Sequence, residues 1–554
     1  MSFVSHEPAE ATRRTIWQAL ESSVELHRDR DAIRYGGTSV TYGQMLDHVD
    51  RLATGLLAAG IQPGDHVAIV FPAVPEWIYV HYALTTVGAI IVPINFNYVA
   101  DEVRWVLTQG DVSAIITLDA FRGLDFLNVF RGVDPALQRG PVCSEQLPLI
   151  TQMFVLDSNE DPGGPYSLRT LLAHEPSAAE RERLAKIRAS QSAGDACYIM
   201  FTSGSTARPK PALVTHRMIN GVGYYQARAC NVGPEDRVLQ QWTTFHVGGV
   251  VPCISLPHAA GASVCLLGAF EPGLVLDVGE RERCTFTGGF DTNFTKLIGH
   301  PDFKNRDLSA LKKCLVGCTP SYYDHLQSVF HFDPLAMTYG ITEGGSTVAI
   351  TMPEDTDPEI RRSSNGRPLP GVEMRIIDPE TGQTVPPGTP GEIIFRGWDT
   401  FLGYYKMPEE TAAALDAEGF VHTGDYGWLD ENGYLYYRGR YKMMVKTGGE
   451  NVSQREVEIF LEDNIPAVEF AQVVGVPDEV WGEAVVAFIQ LRAGANATPE
   501  EIREQCRGKI SGFKIPKHVL VMAPTDWPIL AVGRPDKHTL RRMAMEKLGR
   551  QEAM

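Results

Sequence analysis

Through roughly its first four hundred residues the chain alternates short apolar, β-branched runs with stretches of helical periodicity. Val67-Ala68-Ile69-Val70-Phe71 and Ser113-Ala114-Ile115-Ile116-Thr117 read as buried strands, and residues 76–86 and 100–109 read as helices interleaved with them. A strand that is apolar on both faces needs cover on both sides. The helix that supplies the cover also carries the chain back to start a parallel neighbour, so the pattern predicts wound α/β sheets. At 554 residues the chain exceeds what one core can hold, and two or more domains are expected. Residues 157–191 interrupt the alternation with a turn at Asp161-Pro162-Gly163-Gly164 and a charged helical run around 180–188. They read as a surface excursion between two wound subdomains.

The texture changes after Asp378. Gly391-Glu392-Ile393-Ile394-Phe395 and Gly433-Tyr434-Leu435-Tyr436-Tyr437 read as antiparallel strands joined by Gly and Pro turns, the material of a small barrel-like subdomain. From about 441 the chain restarts as a small α+β unit, with an acidic helix over 453–464 and a strand pair around 471–474 and 484–491. The expected division is an N-terminal domain over 1–440 and a C-terminal domain over 441–554. Arg440 and Lys442, with no aliphatic residue between them, suit a hinge.

A net charge of −18 argues against nucleic acid as the general partner, because phosphate backbones are held by clustered Lys and Arg. A small anionic ligand in a local basic pocket stays compatible with it. The nine cysteines are scattered, and the closest two, Cys314 and Cys318, lie in a strand-like run where packing explains them better than zinc. An odd cysteine count and an N-terminus without a basic region followed by an apolar core point to reduced thiols in a cytoplasmic protein. The apolar stretches are too short or too broken by proline to span a bilayer as a helix.

The strongest local signal is Tyr198-Ile199-Met200-Phe201-Thr202-Ser203-Gly204-Ser205-Thr206-Ala207-Arg208-Pro209-Lys210. An apolar strand runs into a hydroxyl-rich turn that ends in a lysine. Hydroxyls and backbone N–H groups there can donate to phosphate oxygens, and Lys210 adds a cation. It is not a G-x-x-x-x-G-K-[ST] loop, having one glycine and no hydroxyl after the lysine. The segment resembles the phosphate-binding loop of the adenylate-forming superfamily: acyl-CoA synthetases, luciferases and peptide-synthetase adenylation domains. Five further segments match that superfamily in its order, so the resemblance spans nearly the whole chain. They are Phe245-His246-Val247-Gly248-Gly249, Thr338-Tyr339-Gly340-Ile341-Thr342-Glu343, His422-Thr423-Gly424-Asp425, Gly439-Arg440-Tyr441-Lys442 and Lys446-Thr447-Gly448-Gly449-Glu450-Asn451.

The resemblance implies a role for each. Thr202, Ser203, Gly204, Ser205, Thr206 and Lys210 would bind phosphate. Gly317, Cys318, Thr319, Tyr339, Gly340, Thr342, Asp425 and Arg440 would complete an AMP/ATP site. Asp425 offers two acceptors for ribose hydroxyls, and Tyr339 a flat face for adenine, a core tyrosine being the alternative. Glu343 supplies a hard oxygen for Mg²⁺. His246 would gate an acyl pocket lined by Val247, Gly248, Gly288, Gly289, Phe290, Gly344 and Gly345, whose glycines leave room for a bulky acid, although plain packing explains glycines equally well. Lys442 would be the pivot of a mobile C-terminal domain and Lys446 would face the acyl-adenylate after rotation. Gly448, Gly449 and Glu450 would flank the pantetheine arm of CoA, where bare backbone permits close approach.

Three positions depart from the family pattern, beside a milder change on the adenine side, where Gly317-Cys318-Thr319-Pro320 replaces a double-glycine turn. Ala207 and Pro211 stand where the phosphate loop carries glycine, and both stiffen it. Arg534, in Trp527-Pro528-Ile529-Leu530-Ala531-Val532-Gly533-Arg534, stands where the family places the lysine that steadies the acid and the α-phosphate. A guanidinium is a broad planar fork and does not replace a compact ammonium in a tight site. All three departures bear on adenylation, while the residues of thioester formation are in place. The leading expectation is a ligase that takes an acyl-adenylate and CoA to acyl-CoA and AMP, with adenylation impaired or lost and a separate adenylating enzyme as partner. Such a division resembles the split ligase pairs of platensimycin-type diterpenoid antibiotic pathways. The alternatives are a complete ATP-dependent synthetase, with Arg534 or Lys537 serving as the cation, and a non-enzymatic nucleotide- or acyl-binding relative. A carrier-protein thiol in place of CoA also stays open.

Overall fold

The computed structural model describes residues 3–4, 8–158, 161–202, 209–440, 444–447, 450–478, 481–510, 512–530 and 535–550. Two large sheets form the body of the chain. In the first the strands run in the order Lys210–Thr215, Ala196–Thr202, Ile90–Pro93, His66–Val70, Ala114–Leu118, Gln152–Leu156 and Gly140–Pro141. Its inner five strands are parallel and its two outer strands antiparallel. The second sheet has nine strands, with Arg237–Leu239, Ser263–Cys265, Phe286–Gly289, Lys313–Val316 and Leu335–Tyr339 as parallel members.

The helices that cover these strands are set by local signals. Pro75 opens Pro75–Thr86 where no N–H is needed, and that helix is buried on every side, as an all-round apolar sequence requires. Tyr42–Ala58 starts at a reciprocal cap between Thr41 and Gln44. The interruption at 157–191 is docked rather than free. Its helix Ala178–Ser190 lays the Arg188 guanidinium over the Trp17 ring at 3.2 Å and pairs it with Asp50.

Connectivity fixes where a ligand can sit. From Arg237–Leu239 the chain steps to Ser263–Cys265 on one side and then crosses back to Phe286–Gly289 on the other. The loops leaving these strands diverge there, and the carboxyl ends of strands at such a reversal are the place where open α/β sheets bind ligands.

A five-stranded antiparallel sheet follows, in the order Phe3–Val4, Val372–Ile377, Gly391–Gly397, Val421–Leu429 and Leu435–Arg440. Among the described residues it runs from edge to edge without closing, so the barrel-like expectation is met only as an open sheet. The last unit carries its own core, with Val445, Val452, Val457, Leu461, Val473, Val485 and Ile489 among its members. Its strands Val468–Asp478 and Gly482–Leu491 pair antiparallel, and its helix Gln454–Asn464 is capped by Ser453. That helix lies against Pro320–Phe330 of the large unit, and the Ser453 hydroxyl donates to the Arg438 carbonyl at 2.5 Å. Among the described residues no helix is long and apolar enough to cross a membrane.

Glu462 sits at this junction. Burial pushes its carboxyl up to about 8, against the opposing pull of Arg455, while it accepts from the Ala471 N–H at 2.9 Å. A carboxyl with a raised folded-state pKa stabilises the fold below its unfolded pKa and loses that contribution as pH rises through the folded one. The melting temperature is therefore expected to fall between about pH 5 and the carboxyl's own value of about 8, and Glu462→Gln should flatten that slope in a thermal-melt series.

Candidate nucleotide and acyl site

A buried carboxylate is one of the groups that join the carboxyl end of the nine-stranded sheet to the antiparallel sheet. Asp425 faces Arg440 directly across the ladder of Val421–Leu429 and Leu435–Arg440. The Arg440 Nε lies 3.0 Å from its Oδ1, and the Tyr339 hydroxyl donates to its Oδ2 at 2.8 Å. Asp425 is 2% exposed. Its charge holds the Arg440 guanidinium above its ordinary pKa, and burial together with Asp425 pushes the Tyr339 phenol well up. The Tyr437 ring lies beside Tyr339 with centroids 5.3 Å apart. Asn365, which sequence reasoning missed, ties this group together. Its Nδ2 donates to the Thr338 carbonyl and its Oδ1 accepts from the Tyr437 N–H, each at 3.1 Å.

On the phosphate side, Thr202 ends one strand and Lys210 begins the next, paired in register, so the loop between them leaves and re-enters the sheet at one point. Ser203, Gly204, Ser205, Thr206 and Ala207 lie outside the described residues. Lys210 Nζ lies 5.0 Å from the centroid of the Tyr404 ring, and the Tyr404 hydroxyl donates to Glu343 Oε1 at 2.5 Å. Glu343 belongs to the single helical turn Thr342–Gly344. Tyr404 thus stands between the cation and the carboxylate. Its only signal in the sequence is the aromatic pair Tyr404-Tyr405 after Gly403, which the motif reading passed over.

Pro211 is accommodated inside the strand Lys210–Thr215 rather than in the loop. That strand bonds on its outer side to residues 402–405, and the Pro211 carbonyl accepts from the Tyr405 N–H at 2.8 Å. In an antiparallel ladder the N–H and C=O of one residue point the same way, so the proline leaves the Tyr405 carbonyl without a ladder donor. The Gln109 side-chain amide supplies one at 3.2 Å.

A single carboxylate beside a phosphate cradle fits Mg²⁺, which takes one or two carboxylates and completes its shell with water and phosphate oxygens. Glu343 has that placement. Among the described residues there is no group of three or more His, Cys, Asp or Glu able to hold a metal. Cys314 and Cys318 are free thiols, with Cys314 buried.

On the acyl side, His246 precedes the short helix Val247–Val250 and packs edge-on to Phe245, which in turn meets Phe96 edge-on. Gly317, Cys318 and Thr319 lead into Pro320–Phe330, where the Thr319 hydroxyl caps the Tyr322 N–H. Phe290 precedes the helix Asp291–Ile298, and its N–H donates to Asn293 Oδ1 at 3.0 Å. Gly340 is required by a close approach, since a Cβ there would fall 2.0 Å from the Ser346 carbonyl oxygen.

The glycines expected to leave room for a bulky acid do not leave it. A Cβ at Gly288 would lie 1.9 Å from the Trp242 ring, and one at Gly344 would lie 2.3 Å from Val348. Gly289 and Gly345 also meet packed neighbours, at 3.1 Å from Asn293 and 3.2 Å from Met218 and Val222. Only Gly248 of this set faces open space. The space expected of the others is taken by neighbouring side chains.

Of the residues assigned to thioester formation, Lys446 lies in the strand Met444–Thr447 and Glu450 opens Glu450–Ser453. Lys442, Gly448, Gly449 and Arg534 lie outside the described residues. Lys537 is committed elsewhere. Its Nζ is 2.5 Å from Glu458 Oε1 and 2.9 Å from Gln454 Oε1, and Glu458 is 1% exposed.

With this geometry in place, comparison with known proteins is specific. The family model for AMP-binding enzyme matches residues 20–405, and that for AMP-binding enzyme C-terminal domain matches residues 457–528. The chain is 34% identical over 553 residues to YngI of Bacillus subtilis (strain 168), covering 97% of this chain and 98% of YngI. It is 32% identical over 555 residues to the mitochondrial medium-chain acyl-CoA ligase ACSF2 of Homo sapiens, covering 95% and 87%. Among solved structures, the amide bond synthetase McbA from Marinactinospora thermotolerans superposes with a TM-score of 0.79 at 27% identity, over 95% of this chain and 99% of McbA. The anthranilate CoA ligase AuaEII superposes with a TM-score of 0.82 at 22% identity, over 97% and 98%, a likeness of fold.

Two substitutions separate the parts of the nucleotide site. Asp425→Asn is expected to weaken AMP binding by roughly 10–100-fold in calorimetry, the size of a lost charge-assisted hydrogen bond. Tyr404→Phe should leave AMP affinity unchanged and weaken only the binding of Mg²⁺-ATP.

Proposed function

This chain belongs to the AMP-binding enzyme family, and on that basis we propose that it is an acyl-CoA ligase specialised for its second half-reaction. Enzymes of the acyl-CoA synthetase class join an acid to a thiol through an acyl-adenylate. In this reading the protein carries an acyl-adenylate and CoA to acyl-CoA and AMP, and its own ATP-dependent adenylation is slow.

The observation that carries the reading is the fate of Lys537. Arg534 stands in the family's lysine position, and Lys537 is the nearest lysine that could take over. Its ammonium instead neutralises the buried carboxylate of Glu458, and withdrawing it would leave that charge far less well paired. With only a guanidinium at the position, the donor that steadies acid and α-phosphate is displaced, a change that typically costs ~10²–10³ in rate.

The second half-reaction asks less of the protein. The CoA thiolate attacks the carbonyl carbon of the mixed anhydride, a C–S bond forms, and the C–O bond to AMP breaks with its electron pair leaving on the phosphate. AMP is already a good leaving group, so the protein mainly orients the thiol and excludes water. We assign adenosine recognition to Tyr339, Asp425 and Arg440, phosphate contacts to Thr202, Thr342 and Lys210, and gating of the acyl site to His246. Lys442 is the proposed pivot between units 1–440 and 441–554, with Lys446, Gly448, Gly449 and Glu450 along the CoA path. Bound at Glu343, Mg²⁺ would offset phosphate charge in any adenylation that remains. A separate adenylating enzyme is the proposed partner. The described cysteines are all free thiols, which accords with a reducing, cytoplasmic setting.

The accommodation of Pro211 favours a second reading. Because its missing donor is made good by Gln109, one of the three departures leaves the phosphate loop untouched. A complete ATP-dependent synthetase, with Arg534 serving, follows if Ala207 is equally harmless.

Pyrophosphate exchange with acid, ATP and Mg²⁺, run beside thioester formation from synthetic acyl-adenylate and CoA, separates the readings. Weak exchange with rapid thioester formation is expected, and Arg534→Lys should raise exchange by about tenfold or more. Robust exchange in the unaltered protein would establish the complete synthetase.

A further inference from the structure

We propose that the indole of Trp242 closes the deep end of the acyl site and restricts this ligase to compact acids. The inference rests on the ligase reading above and adds to it the class of acid. Trp242 follows the strand Arg237–Leu239, and its ring crosses to the neighbouring strand Phe286–Gly289 at the point where the sheet's winding reverses. Two of its ring atoms lie 1.9 and 2.5 Å from where a Cβ of residue 288 would be, and the Leu315 carbonyl oxygen lies 2.5 Å from the same point. The indole therefore seats on bare backbone, a position that a side chain on residue 288 would deny it.

The backbone that carries the ring is pinned on both flanks. The Gln240 side-chain amide donates to the Trp242 carbonyl while its oxygen accepts from the Leu267 N–H at 3.2 Å. On the other flank Gln241 Nε2 donates to Thr287 Oγ1 at 2.5 Å. These bonds tie the segment to both neighbouring strands, and the ring is 9% exposed. Four residues on, His246 starts the helix whose Gly248 faces open space. In this proposal the open space at Gly248 marks the entrance of the acyl site and the filled space at Gly288 its floor. An acyl chain entering past His246 meets a fixed aromatic wall, and each methylene beyond that contact has to displace it or go unburied. A pocket wall of this kind discriminates by roughly 10–200-fold per misfitting group.

The test measures binding by the full-length chain, without turnover. Butanoyl-, octanoyl- and dodecanoyl-sulfamoyladenosine, and AMP, are titrated by calorimetry into the unaltered protein, Trp242→Ala and Trp242→Phe. The unaltered protein is expected to bind the butanoyl compound at least about tenfold more tightly than the dodecanoyl one. Trp242→Ala should erase or reverse that ratio with AMP affinity unchanged, and Trp242→Phe should fall between. Equal affinity of the unaltered protein for short and long compounds overturns the proposal, as does a ratio that Trp242→Ala leaves in place. If Trp242→Ala loses AMP binding and is misfolded, Trp242→Phe decides, and an unmoved ratio there overturns it. Failure of AMP and every analogue to bind the unaltered protein would instead sink the reading of the nucleotide site, and this inference with it.

Discussion

The rest of the structure hangs on the carboxylate of Asp425. It is buried, faces Arg440 across one ladder and receives the Tyr339 hydroxyl from another sheet. Removing such a charge from water is costly, and its pairing with a guanidinium only roughly offsets that cost. The gain lies in placement. With Asn365 the carboxylate joins the carboxyl end of the nine-stranded sheet to the antiparallel sheet, and its partner Arg440 lies at the expected hinge.

Among the described residues the C-terminal unit meets the large one through charged groups rather than a continuous apolar face. Its core is separate. At the contact, Arg455, Glu458 and Glu462 of one helix stand near Asp291 and Tyr437 of the large unit. Polar contacts of this kind resemble those between domains that move relative to one another, which suits the proposed rotation of the C-terminal unit. Lys537 belongs to the same cluster through its pairing with Glu458.

Periodicity made the elements legible in the sequence. The helix predicted over 100–109 is Ala100–Gln109, the strand read at 113–117 is Ala114–Leu118, and the acidic helix read over 453–464 is Gln454–Asn464, with Ser453 as its cap rather than its first residue. Motif order made Tyr339, Glu343 and Asp425 legible as a group, and the fold brings Tyr339 and Asp425 into contact. Contacts between segments distant in sequence were not legible. Asn365 acts through partners 27 and 72 residues away and carries no local signal, while Tyr404 acts through a partner 61 residues away and carries only the aromatic pair after Gly403. The glycines misled for a related reason. A missing side chain looks the same in sequence whether it leaves space for a ligand or for Trp242, and only the neighbouring strand decides. Pro211 read as a stiffened loop because its distance from the sheet edge is a matter of strand register.

The central claim is an imbalance between two half-reactions in one protein, and a rapid-quench experiment measures it directly. In single turnovers, the rate of AMP release from preformed acyl-adenylate with CoA is set against the rate of acyl-adenylate formation from acid and ATP. An account in which a guanidinium has displaced the adenylating lysine predicts that the first exceeds the second by about a hundredfold or more. Comparable rates, or adenylation the faster of the two, would contradict it.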